Sequence, residues 1–265
     1  MKTLFICRGP NSIMKKFVER LRENILKIRS RVYMRGSKRL IRDVLITRHS
    51  YEAVAEGYAS WRSRPWSISR LSSPGNILDL GSGHCINGVE AALKTNSYVV
   101  CVDYSVNMIS IAKMIIFKKD VYGDYVVADM LRTPFRENSF NTILLIASIH
   151  HIPEYFIRRI TSDLNRILRR RGLIIITIWS WRQSRFVFNM FFNMIKSFLG
   201  LLDFPRRFVV KWRSRRGVFE RVYYLYSLEE ISREIERKNL RILSRGYYSP
   251  MKRSPENIYI IALKD

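Results

Sequence analysis

The sequence predicts an α/β fold, a Rossmann-like parallel sheet with helices on both faces and an antiparallel edge, preceded by a basic helical arm. Three observations carry this. First, Asn76-Ile77-Leu78-Asp79-Leu80-Gly81-Ser82-Gly83-His84-Cys85 is an apolar run that ends in an acid and breaks into two glycines one residue apart. Such a turn brings backbone amides close to a ligand at the carboxyl end of a strand, where open α/β sheets bind nucleotides. Second, about twenty residues on, Tyr98-Val99-Val100-Cys101-Val102-Asp103 also ends in an acid. A carboxylate at that spacing can accept hydrogen bonds from both ribose hydroxyls of an adenosine. Third, Phe140 to Ala147 is a continuous apolar run, as expected of a strand covered on both faces.

The elements follow in order. Residues 1–50 form a basic arm in which Phe17, Leu21, Ile25 and Ile28 recur at helical spacing, with a break at Gly36-Ser37. Strand one is placed at 77–81, a helix at 86–94 and strand two at 98–103. Ser105 caps a helix running through Met108, Ile109, Ala112 and Ile115. A short strand at 125–128 leads to Asp129, and the strand from Phe140 follows the Asn138-Ser139 turn. A helix at 154–168 ends among Arg166, Arg169, Arg170 and Arg171, which suit its negative pole, and Gly172 is expected to close it. Leu173 to Trp179 reads as the fifth strand and 227–238 as a helix. The stretches 240–247 and 257–263 read as a final strand pair around Pro250 and Pro255. The domain therefore runs from 51 to 265, with an insertion at about 181–222.

Composition narrows the partners. The chain has 265 residues, 47% of them hydrophobic, and a formal net charge of +25. Self-repulsion on that scale accompanies a polyanion, nucleic acid first and an anionic membrane surface second. Cys7, Cys85 and Cys101 lack metal-ligand spacing. They are expected to be small apolar fillers in a reducing compartment, with no disulfide framework and no bound metal. No apolar run is long enough to span a bilayer, and a cytoplasmic protein is expected.

The glycine turn also selects the cofactor. Cys85 stands where the dinucleotide fingerprint expects a third glycine, and a pyrophosphate needs that close approach. An adenosine ligand without phosphates tolerates a side chain there, which points to S-adenosylmethionine.

The order Asp79-Leu80-Gly81-Ser82-Gly83, Asp103, Ala128-Asp129 and the following segment to Phe140 resembles the methyltransferase-11 group of class I methyltransferases. Three further segments resemble the tRNA wobble-uridine methyltransferases that act on 5-carboxymethyluridine, including the methyltransferase domain of the AlkB-homologue tRNA-modifying protein. They are Tyr58-Ala59-Ser60-Trp61-Arg62-Ser63-Arg64-Pro65-Trp66, Ser148-Ile149-His150-His151 and Arg221-Val222-Tyr223-Tyr224-Leu225-Tyr226.

The resemblance spans about residues 50–263 and implies a seven-stranded class I sheet. It places Asp79, Gly81 and Gly83 at the methionine end of the cofactor, with Ser82 in the same turn. Asp103 would hold the ribose beside Tyr104, Asp129 the adenine amino group, Met130 the ring, and Ala147 the cleft wall. His84 and Cys85 depart from the small residues usual there. It further implies esterification of the carboxymethyl group, and a small zinc-binding activator protein as partner.

Arg62, or Arg64, can orient the acceptor carboxylate with its planar fork, and Trp66 offers an apolar wall or stacking face. His150 and His151 follow the fourth strand, where the acceptor pocket opens in this fold. One of them is read as touching the acceptor and the other as packed inward. Basic and aromatic residues interleave at Trp181, Arg182, Arg206, Arg207, Lys211, Arg213, Arg215, Arg216 and Tyr224, a pattern suited to a splayed RNA loop. Phe186 to Leu202 fits either a lid on the sheet or a helix lying on a membrane.

Overall fold

The computed structural model describes residues 39–199, 205–214, 217–249 and 257–265. The chain divides into two compact units, Met1–Arg42 and Asp43–Asp265. Of the first, residues 39–42 are described, and they are helical. The helix read around 17–28, the Gly36-Ser37 break, Arg215 and Arg216 lie outside the described residues.

Helix α1 covers 39–61 and runs through residue 50 without interruption. A 3-10 turn, Ser67–Leu71, leads to the sheet. There follow β1 (Asn76–Leu80), α2 (Ile86–Thr95), β2 (Tyr98–Asp103), α3 (Val106–Lys118), β3 (Gly123–Val127) and β4 (Phe140–Ile146). A second 3-10 turn, Ile149–His151, precedes α4 (Glu154–Ile167) and β5 (Leu168–Trp179). The chain continues through α5 (Ser184–Phe198), β6 (Arg207–Ser214), β7 (Gly217–Tyr224), α6 (Leu228–Glu236), β8 (Leu240–Tyr248) and β9 (Asn257–Lys264).

Seven strands form one sheet in the order β3-β2-β1-β4-β5-β9-β8. The first five are parallel, β9 runs antiparallel to β5, and β8 antiparallel to β9. This is the class I Rossmann-like sheet with its antiparallel edge. Ile77, Leu78 and Leu80 of β1 and Ile143, Leu144 and Leu145 of β4 are fully buried, because helices cover both faces of these central strands. After β3 the chain crosses back to β4, so strand order reverses between β1 and β4. A crevice opens at such a switch point, beyond the carboxyl ends of the strands.

Capping follows the sequence where polar side chains carry it. Ser105 accepts from Met108 N at the start of α3, and Ser227 with Glu230 forms a reciprocal capping box on α6.

Two expectations are corrected. Gly172 does not close α4; that helix ends at Ile167 and β5 begins immediately, with Arg171 in a left-handed conformation (φ 59°). Arg169 donates to the Asn138 carbonyl at 3.0 Å, which draws the basic run into the strand rather than the helix end. The cysteines are also not mere fillers: a disulfide joins Cys85 to Cys101, with Cα atoms 5.8 Å apart. Parallel pairing sets Cys101 opposite Asp79, and the turn after β1 returns Cys85 over it. Sixteen residues of separation hide a contact that only the sheet creates.

The insertion holds structure that the sequence reading left unassigned. β6 and β7 form a separate antiparallel ribbon. Phe208, Tyr223 and Leu225 pack against Phe186 and Met190 of α5. Asp43 on α1 is 2% exposed and pins the ribbon: its two oxygens accept from Arg207 at 2.6 Å each, and one also accepts from the Tyr224 hydroxyl at 2.6 Å.

Candidate active site

The crevice at the carboxyl ends of β1, β2 and β4 is a cleft of about 430 Å³, within the size range of small-molecule sites. Its floor is the turn after β1. Gly81 (φ +71°) and Gly83 (φ +55°) are both left-handed. A Cβ on Gly81 would stand 2.6 Å from Ser148 Cβ and 2.8 Å from Met130 Cε, so no other residue fits that position. Gly81 N and Ser82 N donate to the Val102 carbonyl at 2.8 and 2.9 Å, which seats the turn against β2.

Asp103 stands at the end of β2, facing the cleft. Its oxygens accept from Gly83 N at 2.8 Å and Ser105 N at 2.9 Å, leaving lone pairs for ligand hydroxyls. Burial raises its pKa to about 6, against the lowering effect of those amides. Tyr104, Asp129, Met130, Ala147 and Ser82 also line the cleft. Asp129 is exposed, and its Oδ1 accepts from Leu131 N at 2.9 Å. Asp79 lies elsewhere: 1% exposed and behind the turn, it accepts from Gly88 N at 2.9 Å. A Cβ on Gly88 would stand 2.8 Å from Asp79 Cβ. Burial lifts the Asp79 pKa to about 7. Its position suits holding the turn to α2 rather than touching a ligand.

The residues that depart from the usual turn have structural work. Cys85 takes a left-handed conformation (φ 60°) at the start of α2 and is held by its disulfide. His84 is buried and kept neutral by desolvation. Its Nε2 lies 3.1 Å from the Arg62 carbonyl, so that nitrogen carries the proton. The segment containing Arg62 is thereby fastened over the glycine turn, and Trp66 N donates to Asn87 Oδ1 at 2.8 Å beside it. Arg62 and Arg64 line the cleft. The Arg62 guanidinium stacks on Trp66 at 4.7 Å and Trp61 at 5.0 Å, while Trp66 itself is buried.

A narrow side chamber of about 20 Å³ adjoins the cleft and shares Tyr51, Tyr58, Arg62 and Ala147 with it. Trp61, His150, Trp179, Arg221 and Tyr223 complete its wall. The two histidines differ in position. His151 lines the cleft; its Nδ1 donates to the Val222 carbonyl at 3.0 Å and its Nε2 accepts from the Tyr51 hydroxyl at 2.8 Å. His150 is stacked on Tyr223 (4.8 Å, 11°) and accepts from Trp179 N at 3.5 Å. Burial drives the pKa of His151 down to about 3 and lowers that of His150 strongly, so both rings are neutral near pH 7.

Arg221 entered no expected site, yet the ribbon brings it to the chamber wall, and sets Trp212 against two residues that line it. Trp212 meets Trp61 edge-on at 5.3 Å and Tyr58 at 6.0 Å, forming an aromatic rim. Arg221 is 5% exposed and lies over Trp212 at 4.9 Å. The signal was the alternation of β6 and β7, which the density of arginines obscured.

The residues expected at an RNA surface divide. Arg182, Lys211 and Arg213 are exposed, and Arg182 lies over Tyr247 at 4.7 Å. Trp181 packs partly into the ribbon core. Arg207 and Tyr224 instead close on Asp43, and Arg206 pairs with Glu230. Their charge and hydroxyl are used within the protein.

Among the described residues, no group of His, Cys, Asp and Glu could hold a metal ion, and no helix is long and apolar enough to cross a membrane.

Comparison with known proteins agrees with this geometry. The profile of the family described as "Methyltransferase domain" (Methyltransf_11) matches residues 78–176. A tRNA (carboxymethyluridine(34)-5-O)-methyltransferase of Arabidopsis thaliana is 28% identical over 51% of this chain and 32% of its own length. That of Schizosaccharomyces pombe is 24% identical over 81% of this chain and 94% of its own. A demethylmenaquinone methyltransferase of Corynebacterium glutamicum is 27% identical over 45% of this chain and 48% of its own length. This chain thus spans about a third of the Arabidopsis relative but nearly all of the yeast one. The solved complex between the Haloferax volcanii Trm112 methyltransferase activator and its methyltransferase matches with a TM-score of 0.60 at 12% identity, over 82% of this chain and 97% of that one. Sheet order and glycine cradle give this chain the class I Rossmann-like fold with a cleft for S-adenosylmethionine, and its residues 78–176 are similar to several methyltransferase subfamilies.

Proposed function

We propose that this domain methylates the carboxylate of 5-carboxymethyluridine at the wobble position of tRNA. The observation that carries the reading is the side chamber: aromatic walls and guanidinium groups meet beside the cofactor cleft, and its 20 Å³ admits a small charged tip but no base. The base itself finds Trp61, 60% exposed, and Trp212 at the rim. A net charge of +25 and exposed Arg182, Lys211 and Arg213 supply a surface for a polyanion. The names of the plant and yeast relatives point the same way.

S-adenosylmethionine supplies an electrophilic methyl group on its sulfonium. The residues present fit it: the Gly81 cradle leaves no room for a side chain, and Asp103 lines the cleft, where it would accept from ribose hydroxyls. An acceptor carboxylate is already ionised near neutrality, so the chain needs no general base. That accords with two histidines held neutral by burial. The protein's part is to hold the acceptor in line, exclude water and orient its oxygen. Arg62, fixed through its carbonyl by His84, stands at the mouth to do so.

An activator protein is part of the proposal. Among the described residues β3 is the edge of the sheet, and Tyr125 on it, with Tyr122 and Phe117, is exposed. An apolar partner adding to that edge would cover them.

The test is nucleoside mass spectrometry of tRNA incubated with the protein, cofactor and a zinc-binding activator. Formation of the methyl ester is expected. Unchanged 5-carboxymethyluridine, with methyl transfer to another compound, rejects the substrate. A second reading, methylation of a quinone or lipid at a membrane surface, draws on α5. There Phe188, Phe191 and Phe198 are exposed, Phe198 by 91%, and the demethylmenaquinone methyltransferase is among the relatives. Co-sedimentation with anionic vesicles, set against tRNA retention in the same buffer, separates the two.

A further inference from the structure

Arg221 presents a problem of charge. The residue is 5% exposed, and its Nε is buried with no hydrogen-bond partner. Among the described residues, the polar contact of the side chain is Nη1 to the Tyr51 hydroxyl at 3.4 Å. The rest of its surroundings are ring faces: Trp212 at 4.9 Å, Tyr51 at 5.5 Å and Tyr223 at 5.7 Å. Among the described residues no carboxylate pairs with it, although Asp43 binds Arg207 and Glu230 binds Arg206 on the same insertion. The nearby phenols are neutral at pH 7 and supply no counter-charge. A cation taken out of water without a partner is heavily penalised, and buried charges are ordinarily paired.

Tyr51 cannot relieve it as a counter-ion. Burial keeps its hydroxyl protonated, and that proton goes to His151, which is itself locked by the Val222 carbonyl. Nor can water fill the role of a counter-ion in a chamber with room for about one small group. Arg221 lines that chamber, and the chamber adjoins the cofactor cleft through Tyr51, Tyr58, Arg62 and Ala147.

We propose that Arg221 is an anion subsite, built to receive a carboxylate carried by the methyl acceptor. The subsite rests on the tRNA reading for the identity of that acceptor, though not for the chemistry of its anion. A guanidinium fork in an aromatic cage binds a planar carboxylate through two parallel hydrogen bonds. An amide of the same shape cannot satisfy it, because its NH₂ would face a donor and it brings no charge. Arg221 would therefore act as a specificity-determining residue that separates carboxymethyl from carbamoylmethyl acceptors, while Arg62 guards the entrance.

The experiment compares binding of two anticodon stem–loops, one bearing 5-carboxymethyluridine and one 5-carbamoylmethyluridine, to protein loaded with S-adenosylhomocysteine, which has no methyl to transfer. The wild type should favour the carboxylate at least tenfold. R221Q should lose that preference while its cofactor affinity stays within twofold. R221M, apolar and of similar length, serves as the second variant should R221Q fail to fold, and should behave alike. Retention of the tenfold preference by either variant overturns the subsite.

If the wild type binds neither stem–loop, the tRNA reading fails and an acetate titration followed by tryptophan emission decides the subsite alone. Acetate should perturb the Trp212 and Trp179 signal of wild type, at constant ionic strength, and leave that of the variants unchanged. An equal response in wild type and variants rejects the site.

Discussion

The Tyr51 hydroxyl donates to Nε2 of His151 at 2.8 Å, and the direction is set by the opposite ring nitrogen, which gives its proton to the Val222 carbonyl at 3.0 Å. One helix residue, one turn residue and one ribbon residue are thus locked in sequence. Removing the phenol oxygen strands a buried acceptor on His151 and takes from Arg221 its polar contact with Tyr51. Tyr51→Phe should cost about 1–3 kcal/mol in urea unfolding, the range for a buried group left unsatisfied. Its cofactor affinity, read by calorimetry, should stay within twofold.

The same locking bears on pH. Burial holds His151 near 3 and lowers His150, so neither ring titrates between pH 7 and 8.5. With both substrates saturating, the rate of methyl transfer should be flat over that window. A limb of unit slope there would mean that a titrating base takes part.

Asp103 sets a cofactor dependence with a defined sign. Its folded pKa is raised to about 6 from 3.8, so ionisation is postponed in the fold. The stability this group contributes is complete below pH 3.8 and is lost as pH rises through about 6. Cofactor binding needs the ionised form, so affinity of the free protein should fall as pH drops below about 6. Asp103→Asn should abolish that pH dependence and weaken binding. It should also leave the ligand-free protein no less stable at pH 7, where the wild type carries a buried charge. Calorimetric titrations at pH 5.5 and 7.5, with melting curves of both proteins, check all three.

Asp43 is the anchor of the ribbon. Asp43→Ala leaves Arg207, whose side chain is 15% exposed, without its carboxylate, and Tyr224 without its acceptor. Breaking a buried pair from one side costs about 3–5 kcal/mol. Hydrogen exchange in β6 and β7 should accelerate while β1, β2 and β4 keep their protection.

The disulfide closes a loop of sixteen residues between the glycine turn and β2. Closure of such a loop stabilises by about 3 kcal/mol in the chain-entropy account. Dithiothreitol, or Cys85→Ser, should lower the melting temperature. Gel filtration should still show a compact monomer-sized species if the sheet survives without the link.

How much of this was legible depends on whether a feature is local. The strand ends at Asp79, Asp103 and Asp129 stood in the sequence because apolar runs and their breaks are contiguous, and the Ser105 cap because it acts three residues on. The Cys85–Cys101 bond, the Asp43–Arg207 pair and the placement of Arg221 are long-range products of pairing. No window of the chain contains both partners. Asp79 misled for a related reason: it sits one turn from the ligand cradle in sequence, and its side chain points to the other side of the strand. The insertion misled through composition, since dense arginine reads as a surface even where one arginine is sealed inside.

Asp43 and the ribbon it holds lie about 165 positions apart in the chain, whereas the nucleotide crevice draws on pieces of the sheet between β1 and β4. Loop-closure entropy places distant contacts late in folding. The floor of the cleft, built from neighbouring strands, should therefore form before the ribbon docks on α1 and completes the side chamber with Arg221 and Tyr223.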